Sequence, residues 1–98
     1  MASVERLYYP TGELESEYFI INNKKYGIQK SYYPSGQLSC ICSYIDDKLC
    51  GEMISYYDNG QIWEQSMYIN GEIYGDTKHY YENGQFVIYQ IDNYYEIL

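Results

Sequence analysis

The heptapeptide YYDNGQI, Tyr56 to Ile62, decides the fold, because its frame returns three more times at a fixed interval of 24 residues. The other copies are YYPTGEL from Tyr8, YYPSGQL from Tyr32 and YYENGQF from Tyr80. A chain that repeats one short supersecondary unit cannot bury a face within a single unit, so it gains stability by stacking neighbours into a quasi-one-dimensional array. Function in such arrays lies on an extended surface more often than in a catalytic pocket.

A second fixed point recurs with the same period. Gly27, Gly51 and Gly75 each follow a turn-like stretch, INNKKYG, IDDKLCG and INGEIYG. Two punctuation marks per period predict two strands per repeat. The Tyr-Tyr-X-X-Gly mark reads as a three-residue hairpin loop, a type I turn closed by a residue in the left-handed region. Gly12, Gly36, Gly60 and Gly84 supply that positive φ without a Cβ penalty. Pro10 and Pro34 suit the opening of the loop, and Asp58 and Glu82 replace them without strain. The other mark is a two-residue turn, with Asn70-Gly71 the favoured type I′ pair and Asn22-Asn23 and Asp46-Asp47 its weaker equivalents. Both are hairpin turns, so successive strands are expected to be antiparallel neighbours. About eight strands of roughly eight to ten residues follow, close to the upper end of usual strand lengths.

The expected architecture is all-β: an elongated single-layer antiparallel meander, residues 1–98 forming one domain of about four repeats. Their boundaries fall near 8–31, 32–55, 56–79 and 80–98. The last is shortened, because Ile91-Asp92-Asn93 comes two residues early, and residues from about Gln90 to Leu98 read as a terminal cap. Pairing across the tyrosine loops sets Tyr8 opposite Leu14, Tyr32 opposite Leu38, Tyr56 opposite Ile62 and Tyr80 opposite Phe86. Such pairs contribute roughly 0.2 to 1 kcal/mol each over alanine and make one stabilising stripe. Period-two alternation sends Tyr9, Tyr33, Tyr57 and Tyr81 to the other face, beside Leu7, Trp63 and Val87. With sixteen tyrosines and one tryptophan in 98 residues, both faces carry apolar surface that a single layer leaves uncovered. Tyr9, Tyr33, Tyr57, Trp63 and Tyr81 are therefore the candidate partner-binding residues, and the loop glycines are structural.

Charge and motif content exclude several functions. Fourteen Asp and Glu against six Lys and Arg give a net charge of −8, which opposes direct binding to nucleic-acid phosphates or anionic lipid. The longest strongly apolar runs, Tyr18 to Ile21 and Phe86 to Tyr89, are four residues long, too short for a membrane span or a signal-peptide core. A cytoplasmic location is the simplest expectation. His79 is the single histidine and no nucleophile signature surrounds it, so no enzyme activity is expected. Glu13, Glu15 and Glu17 share a face at period two and read as solvated acids on an exposed strand. Cys40 and Cys42 share a face roughly 6.6 Å apart, a poor geometry for pairing, and Cys50 falls near Ser43, not opposite Cys42. The three read as free thiols; no metal and no cofactor is expected.

The pattern from Tyr8 to Phe86 resembles the MORN-repeat family, in the bacterial variant whose units read approximately YYxNGxL followed by a polar strand, an Asn-Gly-like turn and a glycine. YYDNGQI and YYENGQF with INGEIYG between them carry the resemblance most closely. It implies a single-layer sheet used as an interaction scaffold, and many bacterial relatives are described as antitoxin components. Two residues after the central glycine the family often carries Trp, whereas this chain has Gln29, Met53 and Thr77; no binding role is carried over for that row. The leading expectation is a non-enzymatic interaction module, antitoxin-like or inhibitory, that covers a basic protein partner with a tyrosine-rich acidic sheet. The alternatives are a structural element that self-associates, as in a homodimer, and an acidic anti-defence inhibitor that mimics nucleic-acid charge.

Overall fold

A computed structural model describes residues 2–89 and 94–97. The strands are β1 (Ala2–Tyr8), β2 (Leu14–Ile21), β3 (Lys24–Lys25), β4 (Gly27–Tyr32), β5 (Leu38–Ile45), β6 (Lys48–Leu49), β7 (Gly51–Tyr56), β8 (Ile62–Ile69), β9 (Glu72–Ile73), β10 (Thr77–Tyr80), β11 (Phe86–Tyr89) and β12 (Tyr94–Ile97). Their order in the sheet follows the chain, β1-β2-β4-β5-β7-β8-β10-β11-β12, while the two-residue β3, β6 and β9 pair back onto β2, β5 and β8. The result is one open antiparallel meander, an elongated plate of 46 × 32 × 14 Å. The early turn expected at Ile91-Asp92-Asn93 lies outside the described residues.

The turn chemistry explains this order. In the first tyrosine loop Gly12 N–H donates to the Tyr9 carbonyl and Tyr9 N–H to the Glu13 carbonyl, both at 2.9 Å, and the same two bonds recur at Tyr33, Tyr57 and Tyr81. Gly60, at φ 91°, occupies the left-handed position that closes its loop. The connecting turns are type I′ as expected, with both central residues at positive φ: 52° and 67° at Asn22-Asn23, 54° and 70° at Asp46-Asp47, 52° and 85° at Asn70-Gly71. The cross-loop pairs Tyr8 with Leu14, Tyr32 with Leu38, Tyr56 with Ile62 and Tyr80 with Phe86 all form.

The strands are less regular than expected, for two reasons. Gly27 and its periodic equivalents do not belong to the second turn; they lie beyond it, where the strand breaks. Between the pairs Ile20–Lys25 and Glu17–Lys30, two residues of β2 face four of the returning strand. Tyr26 leaves the ladder and donates its N–H to the Phe19 carbonyl at 3.0 Å, and Gly27 turns the chain back at φ 91°. The returning strand is thus split into pieces of two and six residues in place of a continuous eight to ten. The second irregularity is a bulge beside each of the first three tyrosine loops, where the register shifts between Leu7 and Tyr8, Ser31 and Tyr32, and Ser55 and Tyr56. Glu15, Ser39 and Trp63 are the extra residues. A bulge interrupts period-two alternation, so Leu14 and Glu17, three apart, lie on the same face. Glu13, Glu15 and Glu17 therefore do not share one: Glu17 stands across from Arg6, with a 2.7 Å ion pair. The fourth hairpin has no bulge and pairs without interruption from Tyr80–Phe86 to Thr77–Tyr89.

Consecutive hairpins are held together sparingly in the middle and tied at both ends. The ladder between β2 and β4 comprises Ser16–Ser31 and Glu17–Lys30; β5 and β7 share Cys40–Ser55 and Ile41–Ile54; β8 and β10 share Glu64–His79 and Gln65–Lys78. At the tyrosine-loop end the hydroxyls of Tyr9, Tyr33 and Tyr57 donate to the carbonyls of Tyr32, Tyr56 and Tyr80 at 2.5, 2.6 and 2.6 Å. At the other end Asp47 accepts from Lys25 N–H at 2.7 Å and returns its own N–H to the Lys25 carbonyl at 3.0 Å, and Gly71 donates to the Leu49 carbonyl at 2.8 Å.

Pairing divides the strand side chains into two faces. One, the aliphatic face, carries the Tyr8-to-Phe86 stripe together with Val4, Phe19, Ile28, Ile41, Ile54 and Met67. The other, the tyrosine face, carries Tyr18, Tyr44, Tyr68 and Val87 around a strip of small residues, Ser16, Ser31, Cys40, Cys42, Ser55 and Ser66. The four buried residues among those described, Ser16, Cys42, Ser66 and Val87, lie on the tyrosine face. Among the described residues nothing is layered above them; short side chains are shielded by tall neighbours. Lys25 adds to this cover, its ammonium lying 4.5 Å from the Tyr18 ring centre and 4.9 Å from that of Tyr44.

Candidate functional site

The four Tyr-Tyr-X-X-Gly loops form one long margin of the plate, and that margin has a single charge sign. Its loops contain Glu13, Asp58 and Glu82 and no Lys or Arg. Thr11 donates to Glu13, which lowers the Glu13 carboxyl below its ordinary range and keeps it ionised. Ser35 bonds to Asp58 at 2.8 Å, tying adjacent loops.

Along this margin the tyrosine face rises into an aromatic cluster. The third bulge adds Trp63 to β8 immediately before Glu64, and both consecutive side chains reach His79 on β10. Trp63 Nε1 donates to His79 Nε2 at 3.2 Å, while Glu64 Oε2 lies 3.5 Å from His79 Nδ1. The imidazole is gripped from both sides, Nε2 by the indole N–H and Nδ1 by the carboxylate. Ring centres stand 6.3 Å apart for Tyr57 and Trp63, 5.7 Å for Trp63 and His79, and 5.9 Å for His79 and Tyr81, the last two edge to face. Desolvation raises the Tyr57 phenol above its ordinary pKa, and the charge of Glu82 with neighbouring Tyr81 adds to the shift. Trp63 and Tyr81 remain 40 % and 43 % exposed, so the cluster presents ring surface beside three carboxylates. Such a patch stacks and pairs with guanidinium or ammonium groups.

The five residues singled out from sequence fall into two groups. Tyr57, Trp63 and Tyr81 are brought together; Tyr9 and Tyr33 stand further along the margin, each half-buried, with its hydroxyl committed to the next loop. Tyr57 belongs to both sets, since its hydroxyl also ties its loop to the next. Glu64 and His79 were not singled out as partner residues. Sixteen positions separate His79 from Trp63, and only the bulge turns Trp63 and Glu64 toward it together.

The cysteines lie away from this margin. Cys40 and Cys42 point the same way from β5, and the contact between them lowers the Cys40 thiol while raising that of Cys42, which burial raises further. Cys50 sits beside Ser43, whose carbonyl accepts the Cys50 N–H at 3.0 Å. No group of three or more His, Cys, Asp or Glu among the described residues is arranged to hold a metal ion.

A stack of hairpins joined edge to edge, with small inter-repeat ladders and loops aligned on one margin, defines a repeat protein of the interaction-scaffold class. The chain belongs to the MORN repeat variant family, whose model matches residues 4–22, 25–46, 49–70 and 73–86. Each matched segment is built around one tyrosine loop, and the type I′ turns fall at or between segment ends. Repeats of this kind are protein- or membrane-interaction elements. No curated protein and no solved structure matches the chain.

Proposed function

We propose that the protein is a non-enzymatic interaction module that takes a basic protein partner against its tyrosine-loop margin, in the manner of an antitoxin or inhibitor. The observation that carries this reading is the meeting of Trp63, His79, Tyr57 and Tyr81 with Glu64 on a margin whose loops hold Glu13, Asp58 and Glu82 and no base. Aromatic side chains anchor interfaces when their rings are rigid before binding. Here each ring is held by the next, so little side-chain entropy remains to be lost. The carboxylates steer a cationic surface toward the anchors and fix its register.

Capture from a lysate of the source organism, with wild type and Trp63→Ala run in parallel, tests the reading. The expected result is a basic protein retained by wild type in a salt-sensitive manner and released by Trp63→Ala, with affinity reduced by about thirty-fold or more, as for a hot-spot residue. The variant should melt close to wild type. An acidic partner, or a basic one retained equally by Trp63→Ala, would refute the assignment.

A further inference from the structure

The tyrosine-margin reading makes no use of the aliphatic face, which holds most of the exposed large apolar side chains. Val4, Tyr8, Phe19, Ile28, Met67 and Ile69 are between 39 % and 57 % exposed, and large apolar side chains gathered on one open face mark an interaction surface. The same face also departs from the charge of the chain. Five of the six basic residues, Arg6, Lys24, Lys30, Lys48 and Lys78, lie on it beside the acids Glu17, Glu52, Glu72 and Asp76, with Asp46 at its rim pairing with Lys24 at 3.2 Å. Its charges therefore balance, while the chain as a whole stands at −8.

We propose that this face is covered by the same face of a second copy, in a closed two-fold dimer whose axis lies parallel to the strands between β5 and β7. The charge pattern selects that arrangement. Arg6, Glu17, Lys30, Ile41, Ile54, Gln65 and Lys78 occupy a single row across the sheet. Rotation about an axis parallel to the strands exchanges Ile41 with Ile54 at the centre, sets Lys30 over Gln65, and sets Glu17 over Lys78 twice, once on each side. Rotation about an axis along the row instead lays Arg6 over Arg6, Lys30 over Lys30 and Lys78 over Lys78. The first brings opposite charges together around an apolar centre; the second stacks like charges. Two sheets related in the first way pack aligned, within the roughly 30° that sheet twist imposes. The 46 × 32 Å outline of the plate exceeds the ~800 Å² that each partner contributes to a standard stable interface. The dimer is isologous and closes, so it leaves the tyrosine face and its loop margin outward on both copies.

Sedimentation equilibrium over a wide concentration range, with thermal melts of every variant, tests the proposal. Wild type should be dimeric. Lys78→Glu and Glu17→Lys should each weaken the dimer about tenfold, since each converts two attractive contacts into repulsive ones. Mixing the two single variants should then form heterodimers more readily than either variant self-associates, because the mixture restores both opposite-charge contacts. This readout does not depend on how either substitution affects folding of its own chain. Four results would overturn the proposal: monomer at every concentration, single variants that dimerise like wild type, a mixture no tighter than its components, or growth beyond dimer. The last would mean stacking of one aliphatic face on another copy's tyrosine face.

Discussion

Replacing Tyr33 with Phe removes one hydroxyl and leaves the ring, so it isolates the tie between the second and third hairpins. That hydroxyl donates to the Tyr56 carbonyl at 2.6 Å in a part-buried setting. A typical intramolecular hydrogen bond is worth a net ~1 kcal/mol, with ~0.5 to 1.5 the usual spread. The tie also closes the loop end of an interface whose ladder holds the pairs Cys40–Ser55 and Ile41–Ile54, so the loss should lie toward the upper end. Tyr9→Phe and Tyr57→Phe should behave alike, because their bonds repeat the same geometry at 2.5 and 2.6 Å. Equivalent loops stand two strand spacings apart, about 9.6 Å, which is far enough for such effects to add. The triple variant should lose about 3 kcal/mol, a large part of the ~5 to 15 kcal/mol that a domain has. Tyr81 makes no such bond among the described residues, and Tyr81→Phe should fall within about 0.5 kcal/mol of wild type. Urea melts, analysed at a common slope, provide the comparison. If Tyr33→Phe and Tyr81→Phe were equally stable, the hydroxyl ties would contribute nothing and the argument for inter-repeat stapling would collapse.

Gly60→Val should destabilise by about 1 kcal/mol or more beyond Gln61→Val, from backbone strain at positive φ. A Cβ at Gly60 meets the Gln37 amide no closer than 3.5 Å, so equal melts for the two variants would mean that the loop tolerates the strain. Deleting Tyr56 to His79, one full period, joins Ser55 to Tyr80 in phase and should leave a folded shorter sheet, whereas deleting one residue fewer turns every downstream side chain to the wrong face; circular dichroism showing both equally folded would contradict the register. Lys25→Met keeps the stem but removes the charge held over Tyr18 and Tyr44 and the 3.0 Å bond to Gln29. A loss of about 1 kcal/mol is expected, and an unchanged denaturation midpoint would show that the aliphatic stem alone provides the cover.

What the sequence revealed and what it concealed divide along physical lines. Turns are local, so Asn70-Gly71 and the glycine of each tyrosine loop declare their backbone angles in their own residue types, and the pairs across each loop follow from them by counting. Bulges carry no such marker. Glu15, Ser39 and Trp63 have nothing in common as residue types, yet each is the extra residue beside its loop. Val87, at the equivalent position of the fourth hairpin, lies flat in the ladder opposite His79 and is the most deeply buried side chain described. Gly27 was legible as a fixed point of the period, but a glycine that closes a turn and one that closes a strand break look alike in a string of letters. The tyrosine hydroxyl bonds join residues 23 positions apart. Half-wet tyrosines in strands read the same whether their hydroxyls face water or a neighbouring carbonyl. The candidate site depended on such a hidden step: Trp63 and Tyr81 were visible as exposed aromatics, but their union through His79 and Glu64 exists because a bulge turns two consecutive side chains the same way.

In these proposals the two faces divide the labour, one closed by a second copy and the other left for a basic partner. Relaxation enhancement of the free protein by a soluble paramagnetic agent reads both faces in one measurement. The methyl groups of Ile41 and Ile54 should be shielded and become accessible when the dimer is weakened by Lys78→Glu, while the rings of Trp63 and Tyr81 should be accessible throughout. Accessible Ile41 and Ile54 methyls in wild type at concentrations where it is dimeric, together with shielded Trp63 and Tyr81 rings, would contradict this division and assign the self-contact to the tyrosine face.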